Sequence, residues 1–595
     1  MVRPRSQPTA HKSRASIRVA LDAAGELMGK STRRIVLMLT ICRVGIGLLD
    51  VAGVLLLSIF SARALSEDTA LTTRLPGALG GFGSASLSPL SYLGFALALL
   101  ILKSAISFIL TVKLSKVLNR KCTEVITVQT KRLARVEKDE IDHYPTQRLH
   151  YLLTAGIRAM TVGIYAPLST ILSESALIIF FTLFLLLTNV VASLLSILIL
   201  GTASIVLYKY LGSRQYRLGQ LSGSAAIQSI SLFQESIHGY KELSVSGSLT
   251  THLTKFVTRE GELSEILSKQ TFLGTLPRHV LESVVMLSLG CIAIVSALGT
   301  SNYDSLLMIT VFAATTARIL PSLLPLQASF SELQTNLGRA EDLEQLLHIL
   351  KDSMEVGAPD IGIGKIPVVH ASDEPHLKVD NVWYRYPLAT TDALESITFT
   401  LTGSGWFAID GPSGSGKTTV FDLLMGIRVP TVGIVTLNGL DPRTFLRTNH
   451  GYCAYLPQSI TVTNSTIAEN VAFGKPKETI DEGRIRQLLE QVGLGSVIQR
   501  SPLGIWEPIG ELAHAISGGQ LQRLGIARCL YAEPKVLLLD ESTTALDTAA
   551  QKQVLDLISE LSKTIMVISI SHDRNIVKRA DVTLVLNEGK LAKRS

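Results

Sequence analysis

The sequence predicts a multidomain protein: an all-α transmembrane domain of six helices followed by an α/β domain built around a phosphate-binding loop. Two features predict this division. Apolar runs at about 35–60, 92–112, 164–187, 190–210, 276–298 and 304–326 are each long enough to cross a hydrocarbon core of ~30 Å. Far beyond them, Gly411-Pro412-Ser413-Gly414-Ser415-Gly416-Lys417-Thr418-Thr419 lies between the apolar run Trp406–Ile409 and the helix-like Val420–Gly426. That is the pattern G-x-x-x-x-G-K-[ST] in the strand, loop, helix context that gives it meaning. With 47% hydrophobic and 18% charged residues and a mean hydropathy of +0.34, the 595-residue chain is too apolar for a purely soluble enzyme.

Residues 1–33 read as a cytoplasmic N-terminal segment. Their Lys and Arg residues, with Arg34 just beyond, outnumber Asp22 and Glu26, so by the positive-inside rule this end stays in the cytoplasm. Ile17–Met28 has the mixed spacing of an amphipathic elbow helix lying on the inner leaflet. Residues 34–330 form the transmembrane domain; six crossings return the chain to the cytoplasm, which places both termini there. The first apolar span is far longer than a signal-peptide core and is therefore a retained helix. Between the crossings, 113–163 and 211–275 are long, polar and helix-friendly, so crossings two to five should continue as helices well beyond the bilayer. A charged linker, 331–375, leads into the C-terminal domain, 376–595.

The formal charge of +7 comes without a long basic run interleaved with aromatics, which excludes nucleic acid as a partner. Five cysteines without C-x-x-C or Cys/His spacing indicate neither a disulfide framework nor a metal cage.

The chemistry sits in the C-terminal domain. Glycines let the 411–419 loop wrap a phosphate chain so that backbone N–H groups and the following helix N-terminus face its oxygens. Lys417 then reaches the β- and γ-phosphates, and the Thr418 hydroxyl enters a Mg²⁺ shell. Val536–Glu541 is a buried-strand run ending in two carboxylates, Asp540 for Mg²⁺ and Glu541 for the attacking water. Just before it, Ser517-Gly518-Gly519-Gln520 leads into a helix.

Taken together these segments resemble the ATP-binding cassette of ABC transporters, and the membrane portion resembles that of type IV exporters. The resemblance implies a P-loop NTPase fold, ATP and Mg²⁺ as cofactors, and ATP hydrolysis. It implies that Ser517, Gly518, Gly519 and Gln520 bind the γ-phosphate of an ATP held by the loop of a second cassette. With one cassette in the sequence, the partner is a second copy of the chain, a homodimer. Tyr386 matches the aromatic that stacks on adenine, Gln458 the loop glutamine that contacts Mg²⁺ and senses the γ-phosphate, and His572 the switch histidine that positions the attacking water. Pro508–Glu511 resembles the contact loop to the membrane domain, and Thr544–Asp547 the dimer-facing loop. The implied coupling helices fall near Lys116–Arg135 and Arg214–Ile227, with Tyr144–Leu149 opening the third crossing helix.

Such a protein would be an ATP-driven exporter or flippase in the cell inner membrane, moving an amphiphilic substrate. Residues 276–282 and 318–322 resemble bacterial lipid-linked oligosaccharide flippases, which suggests a lipid-linked saccharide or another anionic amphiphile. A peptide, drug or lipid exporter, an importer and a non-transporting regulatory ATPase remain open readings. Arg43, Lys103 and Arg318, all at mid-membrane depth, predict a cationic cavity.

Overall fold

The computed structural model describes residues 10–65, 89–188, 190–298, 302–356, 374–387, 389–509, 517–541, 548–571 and 573–594. The chain divides into two compact units: one holds 1–136 and 144–358, the other 137–143 and 359–595.

Among the described residues, the regular structure of the first unit is all helical. Six long helices run Ala10–Leu65 (α1), Pro89–Leu133 (α2), Ile157–Thr188 (α3), Val190–His238 (α4), Leu249–Leu298 (α5) and Asn302–Ala340 (α6). Each contains one of the apolar runs. α1 breaks at Gly29, where φ is 69° and ψ 158°. Only a residue without Cβ adopts that conformation cheaply, so the elbow ends and the first crossing begins at a glycine. The elbow's small residues are buried: Ala20 and Ala24 pack in one core with Cys122, Val125, Ile157 and Leu343. α4 and α6 approach so closely that a Cβ on Gly219 would lie 2.2 Å from the Thr335 carbonyl oxygen, and one on Gly338 2.1 Å from that of Tyr216. Both contacts lie beyond the apolar runs, in the helical extensions, where glycine alone lets the two backbones approach this closely. Among the described residues, Leu93–Leu133 and Thr146–Leu183 are the two stretches long and apolar enough to cross a membrane.

The chain turns later than the implied coupling helices. Lys116–Arg135 is for the most part the end of α2, and Arg214–Ile227 lies inside α4; the short helices at the turns are Lys138–Ile141 and Tyr240–Val245. Helix-favouring residues carry α2 through Leu133. Its last carbonyls are then closed by backbone donors from Ala134, Arg135 and Val136, and Pro145 precedes the helix Thr146–Tyr151, which enters α3 through a π turn, Leu152–Gly156.

The second unit is α/β. Strands β1 (His376–Tyr384), β2 (Leu394–Thr402) and β4 (Val432–Leu437) form an antiparallel sheet in the order β2-β1-β4. Strands β3 (Gly405–Asp410), β5 (Cys453–Leu456), β6 (Val536–Asp540), β7 (Met566–Ile570), β8 (Val582–Asn587) and β9 (Lys590–Arg594) form a second sheet ordered β5-β6-β7-β3-β8-β9. It is parallel except for β8–β9. β6 and β7 are buried at every residue, which explains why both read as unbroken apolar runs. Because β3, β5 and β6 run the same way, the residues after their C-terminal ends converge on one edge, where ligands bind in open α/β sheets.

Candidate nucleotide site

The phosphate loop leaves β3 at Asp410 and enters the helix Lys417–Leu424 (α7). Two of its glycines are required by packing and by backbone conformation together. At Gly411 φ is 149° and a Cβ would fall 2.0 Å from the Leu586 carbonyl oxygen; at Gly416 φ is 95° and a Cβ would fall 2.8 Å from that of Ala393. The Asp410 carboxylate accepts from the Gly411 N–H at 2.7 Å. Lys417 is buried and folds back over the loop, donating to the carbonyls of Gly411 at 2.7 Å and Pro412 at 2.9 Å. Burial pulls its ammonium below the usual lysine range, against the opposing pull of Glu541, Asp410 and Asp540. A desolvated cation held by carbonyl dipoles and aimed along a helix N-terminus is a receptor for an anion. Thr418 stands exposed beside it, and Ser413 and Gly414 are exposed on the rim.

Asp540 ends β6, and Glu541 follows in the left-handed region at φ 45°, its N–H bonded to the Ile570 carbonyl at 3.0 Å. Non-glycine residues held there are strained and gather at working sites. Gln458, just after β5, donates its amide to the Glu541 carboxylate at 2.8 Å. Tyr455 donates to Asp540 at 3.1 Å. Burial pushes the Asp540 carboxyl up, and the negative charge of Glu541 adds to that. The oxygen donors of Thr418, Gln458 and Asp540 fit Mg²⁺, which takes few protein ligands and leaves the rest of its shell to water and phosphate.

Tyr386 bonds the Thr419 hydroxyl at 2.8 Å. It also meets Tyr384 edge-on at 5.0 Å. Ser517 caps the helix Gly518–Tyr531 (α8): its hydroxyl accepts from the Gln520 N–H while the Gln520 side chain accepts from the Ser517 N–H, a capping box. The first-turn N–H groups of Gly518 and Gly519 are thereby presented at an ordered helix N-terminus. The hydrogen bonds of Ser517, Gly519 and Gln520 among the described residues stay within 517–523, none reaching this chain's own phosphate loop. His572, Gly510–Ile516 and Thr544–Asp547 lie outside the described residues.

Sequence reasoning missed Arg428. It is buried, and it donates from Nε to Asp422 at 2.9 Å and from Nη2 to Asp142 at 3.0 Å. It also pairs with Asp139, and its guanidinium lies 4.8 Å from the Tyr386 ring centre. Only the acidic run Glu137–Asp142 in an otherwise basic turn could have signalled it.

Two of the three cations expected to line a cavity have carboxylates beside them. Lys103 is ion-paired with Asp50, and Glu174 takes a hydrogen bond from Ser322 in the field of both Arg43 and Lys103. Two carboxylates thus balance these two cations; the Arg318 side chain is outside the described residues.

A family model for the ABC transporter matches residues 394–544. An ATP-dependent lipid A-core flippase of Cupriavidus metallidurans is 28% identical over 428 residues, 71% of this chain and 70% of that protein. One of Burkholderia orbicola is 29% identical over 361 residues, 60% of this chain and 59% of its own. A bacterial Atm1-family ABC exporter with ATP bound superposes with a TM-score of 0.70, covering 95% of this chain and 96% of that one at 19% identity. The chain belongs to the ABC transporters. Six long helices ahead of one cassette make this ABC transporter an exporter-type half-transporter, a membrane protein that hydrolyses ATP and works by dimerising.

Proposed function

We propose that this half-transporter is a homodimeric exporter or flippase of the inner membrane, driven by ATP, whose cargo is an amphiphile with a lipid-linked saccharide as the first candidate. The observation that carries the cargo reading is the 428-residue similarity to a lipid A-core flippase. That stretch is longer than the cassette, 376–595, and so extends into the helices that would form the cargo path.

Each residue then has a role. Tyr386 stacks on the base, and Lys417 exchanges its two loop carbonyls for the β- and γ-phosphates. Gly411, Pro412, Ser413, Gly414, Ser415, Gly416 and Thr419 shape the cradle, and Thr418, Gln458 and Asp540 would hold Mg²⁺. When bound, Mg²⁺ neutralises charge on the phosphate oxygens. Glu541 takes the proton of the attacking water, with His572 positioning that water, and Gln458, which donates to Glu541 at 2.8 Å, is also among the groups that would hold Mg²⁺. Ser517, Gly518, Gly519 and Gln520 close on the partner's nucleotide, so that hydrolysis requires two chains.

The test is flipping of a fluorescent lipid-linked saccharide in proteoliposomes, beside ATP turnover. The wild type should move the lipid only with ATP. Glu541→Gln should bind ATP normally while turnover falls about 10²–10⁴-fold, the share that general-base catalysis supplies. ATP turnover without movement of any lipid or peptide offered would turn the reading toward a regulatory ATPase.

A further inference from the structure

Arg428 follows α7, the helix whose N-terminus carries the phosphate loop, and it touches three things at once. Its guanidinium lies over Tyr386 at 4.8 Å. Its Nε holds Asp422 of α7 at 2.9 Å. Its Nη atoms hold Asp139 and Asp142, which stand on the 137–143 segment between α2 and the third long helix and belong to the cassette's own compact unit. Tyr384 completes the arrangement. Its hydroxyl donates to Asp139 at 2.7 Å and accepts from Arg428 at 3.1 Å, while its ring packs against that of Tyr386. A second arginine, Arg443, fixes the segment independently through Glu137 at 2.8 Å.

We propose that Arg428 is a positioning residue that makes base seating at Tyr386 and attachment of 137–143 to the cassette one coupled equilibrium. This rests on the reading that Tyr386 stacks on the base. The guanidinium is planar, so one fork of donors can grip carboxylates while the same plane contacts a ring. Its charge is permanent, so burial is tolerated only while those carboxylates remain beside it. If the segment withdraws, Arg428 loses two of its three anions and follows them or turns toward Asp422, and the ring it steadies loses its support. Conversely, a base that fixes Tyr386 fixes Arg428 in the position that receives Asp139 and Asp142. By linkage the two events strengthen each other by the same factor.

The test measures affinity for mant-ATP and for inorganic tripolyphosphate, which has no base, on the full-length dimer in nanodiscs. Tyr386→Leu should weaken mant-ATP about tenfold, the scale of a good aromatic contact, and leave tripolyphosphate unchanged. The pair Asp139→Asn with Asp142→Asn, remote from the phosphates, should weaken mant-ATP several-fold and also leave tripolyphosphate unchanged. In the Tyr386→Leu background that pair should have no further effect. Arg428→Lys, which keeps the ion pairs but not the plane, should reproduce the mant-ATP loss without loosening the segment. Equal losses for both ligands, or additive losses in the combined variant, would overturn the coupling. If Tyr386→Leu alone leaves mant-ATP unchanged, the base-stacking reading falls and the proposal with it.

Discussion

The phosphate loop and the charged group among the membrane helices both take a lysine out of water, but they satisfy it differently. Lys417 is buried against two carbonyl oxygens, with the carboxylates of Glu541, Asp410 and Asp540 acting on it through space. Lys103 is paired with Asp50, and Glu174 stands in the field of Arg43 and Lys103. The first arrangement keeps a cation ready for an anion that arrives from outside. The second supplies its own anions, so a cargo phosphate must displace a carboxylate before it gains either charge. Depth in the fold therefore does not mark a cation as a ligand site; the kind of group that neutralises it does.

The largest expected effect separates the two lysines by affinity. Lys417→Ala should lower nucleotide affinity about 100-fold, since a charged hydrogen bond contributes about 1.5–3 kcal/mol. It should leave thermal stability nearly unchanged, because it also removes the cost of burying an ammonium. Fluorescent-nucleotide titration beside a thermal melt reads both. A clear fall in stability would mean that Lys417 also holds the loop together, and the contrast would fail.

The second effect is one of stability. Lys103→Met should destabilise the helical unit by about 2 kcal/mol, because it strands Asp50 in a half-buried position. Adding Asp50→Asn should recover most of that loss, and basal ATP turnover should persist in both variants. Loss of transport at unchanged stability would instead make Lys103 a cargo contact.

The same contrast explains what could be read in advance. Six helices were legible because a bilayer demands long apolar runs, and the phosphate loop because close backbone approach admits only glycine at 411 and 416. The turns after α2 and α4 were misplaced because the sequence stays helix-friendly there. What ends α2 is a set of local backbone bonds from Ala134, Arg135 and Val136, and Pro145, ahead of the helix Thr146–Tyr151, comes only twelve residues after Leu133. Lys103 read as a free cation because Asp50, 53 residues away, is adjacent only once α1 and α2 pack. Arg428 was invisible for the same reason: Asp139 and Asp142 lie nearly three hundred residues before it, and Tyr386 forty-two before it.

The smallest effect is on pH dependence, and it sharpens the comparison at the phosphate end. Asp540 must be ionised to hold Mg²⁺, yet burial raises its pKa above the ordinary carboxylate value of 3.8. On acidification it takes up its proton earlier than an exposed aspartate would, so Mg²⁺-dependent nucleotide binding should weaken several-fold while most surface carboxylates are still charged. Lys417 must be protonated to attract phosphate, yet burial lowers it below 10.5, so the alkaline limb should arrive early as well. Raised in the folded state, the Asp540 carboxyl favours folding at low pH, and that contribution is lost as pH rises through its folded pKa. Asp540→Asn should therefore raise the melting temperature slightly at neutral pH while removing both the Mg²⁺ dependence and the acid limb. Titrating nucleotide affinity across pH with and without Mg²⁺ checks this. An acid limb that survives Asp540→Asn would assign it to another group and leave Lys417 as the one residue whose burial tunes the site.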